Sequence, residues 1–142
     1  MRRIRLHPSG LAVVALLAAL LAPRGVTAQS QLDVSEAREF LGDWTISLQT
    51  DFGPMVLQMK IEDRGGKVAA TVGSPDIGGM TEVTDITKDG TSLVLRYDVD
   101  AQGQIIDVLM SLEQPTGDTL NTFIEAAGGQ FQVGAVATRA AS

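Results

Sequence analysis

The chain contains no cysteine, so it forms no disulfide and offers no thiolate as a nucleophile or metal ligand. Its one histidine, His7, lies in a segment that we expect to be removed. Without it, Ser-His-Asp and Cys-His catalysis, histidine-ligated haem and the usual zinc sites are excluded. The carboxylates show no spacing typical of an acid pair. The sequence therefore predicts no enzyme, no catalytic residue, no cofactor and no metal site.

Residues 1–28 have the pattern of a secretory signal peptide. A basic stretch at 2–5 precedes the apolar run 11–22, which is too short to span a bilayer comfortably, and a small-residue cleavage site follows at 26–28. A membrane anchor is the alternative, but Pro23 and Gly25 end the apolar run early. We expect an exported protein, periplasmic or extracellular in a bacterium, with no stable membrane insertion after cleavage.

Cleavage would leave a strongly acidic mature chain. The full sequence has 11 basic and 17 acidic residues, and the predicted signal peptide carries Arg2, Arg3, Arg5 and Arg24 but no acidic residue. The 7 basic residues that remain, against all 17 acidic ones, give a net charge of −10. Such a surface repels phosphate backbones, so the sequence predicts that the protein does not bind nucleic acid.

The first part of the mature chain shows helical spacing. Residues 29–33 are predicted to be a flexible tail. Asp33 and Glu36 have the spacing of a capping box, and apolar residues then recur at Val34, Ala37 and Phe40. The pattern predicts one short amphipathic helix over 34–41, ended by Gly42.

After Gly42 the apolar period changes from 3.6 to 2 residues, which is typical of strands. Eight runs alternate in this way, at 43–50, 55–63, 67–73, 80–87, 91–99, 104–113, 119–126 and 130–139. Short connections favour antiparallel pairing in sequence order, and closure would remove the exposed edges. We predict an all-β domain over 34–139, a single eight-stranded antiparallel up-and-down barrel, followed by a tail at 140–142. A two-sheet sandwich is the alternative.

Strand direction predicts which residues meet. If the strands alternate in direction, Trp44 on the first strand and Arg139 on the last reach the same end of the barrel, both facing inward. An arginine over an indole face is a favourable cation–π arrangement. We expect Trp44 and Arg139 to form a structural clasp at that end.

Gly42, Trp44 and Arg139 occupy the positions of a G-x-W motif and a last-strand arginine, and here the chain resembles the lipocalin-like, or calycin, barrels. In size it is similar to small secreted bacterial β-barrels. The short 51–54 turn replaces the large first loop of lipocalins, and we expect neither their C-terminal helix nor their disulfides here. The resemblance implies that the barrel opens at the end opposite Trp44.

The predicted binding residues combine the inward positions of the strands with the loops at that open end. They are Leu48, Phe52, Met55, Leu57, Val72, Ile77, Met80, Tyr97, Ile106, Thr122, Ile124 and Phe131. Such a lining suits a small apolar or amphipathic ligand, with Tyr97 and Thr122 as its orienting polar groups. The alternative is a filled barrel that docks on a partner or self-associates through an outward apolar stripe, made of Val94, Ile105, Leu109, Phe123 and Val136.

Overall fold

The structure is a computed structural model that describes residues 30–75 and 78–140. The predicted signal peptide 1–28, Ile77 and residues 141–142 lie outside this description. Nine strands follow one another, and in chain order they are β1 (Gly42–Thr50), β2 (Gly53–Arg64), β3 (Lys67–Ser74), β4 (Gly79–Val83), β5 (Asp85–Asp89), β6 (Ser92–Ala101), β7 (Gln104–Leu112), β8 (Thr119–Ala126) and β9 (Phe131–Arg139).

All nine strands belong to one antiparallel sheet, in the order β4-β3-β2-β1-β9-β8-β7-β6-β5. Every neighbouring pair is consecutive in the chain except β1 and β9, whose pairing brings the first and last strands together. The two ends of the sheet, β4 and β5, are successive segments separated by Thr84. The sheet is therefore a nearly closed up-and-down barrel, as predicted, and a two-sheet sandwich is excluded.

The predicted strand 80–87 is divided at Thr84, so the barrel has nine strands and not eight. Val83 pairs with Ala70 of β3, whereas Ile86 pairs with Leu95 of β6, and both side chains are buried. Residues three apart point to opposite faces of an uninterrupted strand. The chain can bury both side chains only by breaking the alternation between them, which is why one strand becomes two.

The predicted helix over 34–41 is wrong, because the segment forms two 3-10 turns at Val34–Glu36 and Arg38–Phe40. The Asp33 side chain makes no capping hydrogen bond; its carboxylate pairs with Lys67 instead. The apolar residues of the pattern nevertheless face the core, with Ala37 and Phe40 fully buried. Residues 34–41 therefore cover one end of the barrel, and we call them the plug and this end the closed end.

Residues 30–33 fall in the predicted tail but lie against β3. The Leu32 carbonyl accepts a hydrogen bond from the Val68 amide at 2.9 Å, and Asp33 forms a β-bridge with Lys67. The Lys67 Nζ also donates to the Gln31 carbonyl at 3.1 Å. These contacts hold the chain against the β2–β3 hairpin before it enters the plug.

Trp44 and Arg139 meet as the strand directions predicted. They are directly opposite each other on β1 and β9, and the guanidinium carbon lies 4.2 Å from the centre of the indole ring. The ring is buried, and its Nε1 donates a hydrogen bond to the Phe40 carbonyl at 2.8 Å. The tryptophan thus joins the first strand to the plug at the same point where it joins the last strand.

Two cations bind the backbone carbonyls of the plug. Arg139 donates through Nη1 to the Leu41 carbonyl and through Nη2 to the Glu39 carbonyl, the latter at 3.3 Å. Lys88 of β5 donates to the Glu36 carbonyl at 2.7 Å, and its Nζ lies 5.3 Å from the centre of the Phe40 ring. Short 3-10 turns leave carbonyls without backbone partners, and these two side chains satisfy three of them.

The glycine of the G-x-W motif is required by this arrangement. Gly42 has a φ of +132°, and a Cβ at this position would lie 2.6 Å from Nη1 of Arg139. A larger residue would therefore strain the backbone and push the guanidinium away from Leu41. Gly53 is a natural control, because its φ is similar at +111° but nothing lies within 4 Å of the added Cβ.

We expect Gly42→Ala to lower the free energy of unfolding by about 2 kcal/mol and Gly53→Ala by about 1 kcal/mol. Both variants suffer the backbone penalty, but only the first also displaces Arg139. Urea denaturation followed by the fluorescence of the single tryptophan measures both. Equal losses in the two variants would show that the contact between Gly42 and Arg139 contributes nothing.

Candidate functional site

The two ends of the barrel interior differ in burial. Near the closed end, the inward side chains are almost inaccessible to solvent, as Trp44, Ile46 and Ala137 show. Toward the opposite end, which we call the mouth, the same faces of the strands become half-buried at Met55, Leu57, Tyr97, Val99, Ile106, Val108, Val133 and Ala135. Water therefore reaches inward-facing apolar side chains from the mouth.

The pairing register confirms that these half-buried residues face one interior. Residues opposite each other in an antiparallel pair share a face of the sheet. Met55 lies opposite buried Leu48, and Leu57 lies opposite buried Ile46. Tyr97 lies opposite Val108. The mouth half of the interior is thus an apolar lining that the protein itself does not cover completely.

Thr122 is the polar group at the inner end of this lining. It pairs with Leu112 on one side and with Ala135 on the other, and its side chain is only 4% exposed. Its Oγ1 has no hydrogen-bond partner within residues 30–75 and 78–140. Leaving a buried hydroxyl unpaired costs about 1–3 kcal/mol, so a bound group that accepts or donates a hydrogen bond here would stabilise the structure.

Tyr97 is the second polar group of the interior. Burial of its phenol raises its pKa from 10.0 to about 12, because the charged phenolate would lose its hydration. At ordinary pH the ring therefore carries a neutral hydroxyl, which both donates and accepts hydrogen bonds. Tyr97 and Thr122 lie on inward faces, as the sequence predicted.

Apart from Met80, the other predicted binding residues fall into four groups. Met55, Leu57, Ile106 and Phe131 face inward in the mouth half, and Phe131 is 42% exposed. Leu48, Val72 and Ile124 also face inward but are buried among their neighbours. Phe52 lies on the β1–β2 turn and is 100% exposed. Ile77 lies outside the described residues.

Met80 is not part of the interior. It lies opposite Gly73 on the outer face, beside a surface groove that Thr45, Gln58 and Lys60 also line. The prediction placed it at the mouth because it follows the 74–79 loop. The register of β4 turns its side chain outward, since Thr81 takes the inward position opposite Val72.

Four residues of the lining were absent from the predicted binding residues. Val99, Val108, Val133 and Ala135 are half-buried on the inward faces of β6, β7 and β9. Their alternation in sequence already indicated the inward face. Their depth along the barrel could not be read from it, because the stagger between strands sets which inward residues remain near the mouth.

Positive charge is distributed unevenly along the barrel. Six of the seven basic residues in the described ranges lie in the closed half, namely Arg38, Lys60, Arg64, Lys67, Lys88 and Arg139. The seventh, Arg96, lies on β6 opposite Leu109. The mouth half carries five of the 16 described acidic residues, Asp51, Asp98, Asp100, Asp107 and Glu125. Their side chains lie on the β1–β2 turn or on the outer face of the wall around the mouth, and we call this surface the acidic rim.

The outer face carries a smaller apolar patch than the predicted stripe. Phe123 and Val136 are 43% and 50% exposed, and Val56, which was not predicted, is 51% exposed. Phe123 lies opposite Gly134, whose missing side chain leaves a groove of about 460 Å³ beside it. Ile105 is exposed but separate, because it lies six residues along β7 from Ser111, the neighbour of Phe123, or about 20 Å.

Nowhere in the described ranges do three or more histidine, cysteine, aspartate or glutamate side chains converge as metal ligands. Within those ranges, no helix has the length and apolar character needed to cross a membrane.

Comparison with known proteins adds little to this geometry. No protein-family model and no curated protein sequence matches the chain. A crystal structure of a secretary abundant heat soluble (SAHS) protein from Ramazzottius varieornatus is similar at a TM-score of 0.44 and 12% identity. That similarity covers 72% of this chain and 96% of the other. It is too weak to support an inference about fold or function.

We expect Tyr97 to ionise with a midpoint near pH 12 in the folded protein and near pH 10 in denaturant. Between these values the unfolded chain loses a proton that the folded chain keeps, so folding stability falls as the pH rises from about 10 to about 12. Tyrosinate absorbance measures this directly, because Tyr97 is the single tyrosine. A midpoint near 10 in the folded state would contradict its placement in the interior.

Proposed function

We propose that this is a non-enzymatic, exported barrel protein that binds a small apolar or amphipathic molecule in the mouth half of its interior. One observation carries the proposal: inward-facing apolar side chains remain half-buried in the mouth half, and a buried hydroxyl at their inner end, Thr122, lacks a partner within the described chain. A filled core would cover such side chains, whereas a ligand would cover them when it binds.

The residue types of this lining support binding without catalysis. In the mouth half, the half-buried inward side chains are aliphatic or thioether groups, apart from the phenol of Tyr97 and the hydroxyls of Thr50 and Thr81. A neutral phenol and threonine hydroxyls orient a ligand but provide no paired acid and base. The single histidine of the sequence, His7, lies in the segment predicted to be cleaved. Export is supported by the signal-peptide pattern of residues 1–28.

Filling the interior provides the test. We expect Val133→Trp to abolish uptake of an apolar fluorescent probe, because Val133 faces inward opposite Ile124 and an indole there would occupy the mouth. Val136→Trp is the matched control, since Val136 lies on the outer face of the same strand. The measurement is a probe titration, with circular dichroism to verify the fold. Loss of uptake in Val136→Trp alone would show that the probe binds in the outer groove, which would contradict the proposal.

A second candidate function is self-association or docking on a partner through the outer patch of Phe123, Val136 and Val56. The specific observation is that these three exposed side chains surround Ser47 and Gly134 across four neighbouring strands, β2-β1-β9-β8. Contiguous exposed apolar side chains of this kind mark interaction surfaces more often than isolated ones do.

If the outer patch drives self-association, the protein should be dimeric at micromolar concentration and Phe123→Lys should make it monomeric. A lysine in the centre of an apolar interface leaves its charge without water or a partner. Phe52→Lys is the control, because Phe52 is fully exposed on a turn away from the patch. Sedimentation velocity over a range of concentrations distinguishes dimer from monomer for the wild type and both variants. A wild-type protein that is monomeric at every concentration would exclude this self-association.

A further inference from the structure

We propose, building on the ligand site above, that this interior selects an uncharged amphipath that enters with its polar group first and hydrogen-bonds Thr122. Alcohols and comparable neutral groups fit this description, whereas fatty-acid carboxylates do not. Three features of the structure lead to this inference. They are the position of Thr122, the contacts that already occupy the inward-facing Lys88 and Arg139, and the negative charge of the acidic rim.

Thr122 lies at the boundary between the buried and the half-buried parts of the interior. Its hydroxyl oxygen is closed off from solvent, but it lies directly opposite Ala135, which is half-buried and carries only a methyl group. Toward the mouth on the same strand, Ile124 is buried and apolar. A ligand whose polar group reached Thr122 would therefore place its chain along Val133, Val108 and their apolar neighbours.

A carboxylate in this position would have no cation to pair with. Among the described inward-facing residues, the basic ones are Lys88 and Arg139, and both are at the closed end. Their nitrogens bind the carbonyls of Glu36, Leu41 and Glu39, and they lie against the rings of Phe40 and Trp44. An anion at Thr122 would lose its hydration without gaining an opposite charge, which is strongly unfavourable.

The reverse orientation, with a charged group at the mouth, disfavours anions for a different reason. Asp51, Asp98, Asp100 and Asp107 are exposed around that end, and Asp98 lies directly opposite Asp107. None of these four carboxylates is within salt-bridge distance of a described lysine or arginine. A carboxylate held at the rim would be repelled, more strongly at low ionic strength.

The test compares four probes that share one alkyl chain: decanol, decanoate, decylammonium and decane. Binding to the purified mature protein is measured by displacement of an apolar fluorescent probe at low and high salt. We expect decanol to bind at least ten-fold more tightly than decanoate. Equal affinities for decanol and decanoate would overturn this inference and leave the proposed function intact, whereas failure of all four probes to bind would contradict the proposed function itself.

Thr122→Val separates the hydrogen bond from simple packing. The variant keeps the shape of the side chain, so it should bind decane as the wild type does but bind decanol about five-fold more weakly, the effect of losing one neutral hydrogen bond. Its melting temperature without ligand should not fall, because the lost hydroxyl has no partner in the described chain. Thr87→Val, on the outer face of β5, is the control and should change neither affinity.

Two further outcomes would overturn the inference. Equal weakening of decane and decanol by Thr122→Val would show that Thr122 acts only through packing. Tightest binding by decylammonium, unaffected by Thr122→Val and weakened by salt, would show that the polar group faces the acidic rim rather than Thr122.

Discussion

The rest of this structure depends on the contacts that the Arg139 guanidinium makes. It stacks on Trp44 of the first strand, and it binds the carbonyls of Leu41 and Glu39 in the plug. Its Nε also lies 3.5 Å from Asp118, in the connection before β8. One side chain thus joins the last strand, the first strand and the plug. The absence of a side chain at Gly42 is what gives the guanidinium room to reach Leu41.

This arrangement makes the barrel asymmetric. The plug covers one end, and its carbonyls accept hydrogen bonds from Arg139 and Lys88. Most of the positive charge therefore lies at that end. No described segment covers the mouth in the same way, and the inward side chains at that end stay half-buried. Among the acidic residues at the mouth, Asp51, Asp98, Asp100 and Asp107 form no salt bridge with a described lysine or arginine. Closure at one end and accessibility at the other follow from the same contacts.

The order and direction of the strands could be predicted from sequence because both are local properties. Alternation of apolar residues marks the inward face, and short connections force neighbouring strands to be antiparallel. These two rules were enough to bring Trp44 and Arg139 together across the barrel. The same rules fail at Val83 and Ile86, which cannot both face inward on one uninterrupted strand. The break at Thr84 resolves that conflict and raises the strand count to nine.

The plug shows where local rules mislead. The spacing of Asp33, Glu36 and Phe40 is helical, but a segment of eight residues gains little from helix formation alone. Its conformation follows from contacts with residues outside the segment. Lys67 forms an ion pair with the Asp33 carboxylate, and Trp44 donates a hydrogen bond to the Phe40 carbonyl. The apolar residues still point to the core, because burial constrains which side chains face inward more strongly than it constrains the backbone that presents them.

The sequence by itself determined the fold class, the inward face of the strands other than β4 and β5, and the meeting of Trp44 with Arg139, because all three follow from periodicity and strand direction. Only the tertiary structure decided the depth of each inward residue and the face of Met80. Depth depends on the stagger between strands, which is set by pairing across the whole sheet. For the same reason, the sequence could not show that the Thr122 hydroxyl lacks a hydrogen-bond partner. That follows from the strand pairing, which places the apolar residues Leu112 and Ala135 beside it.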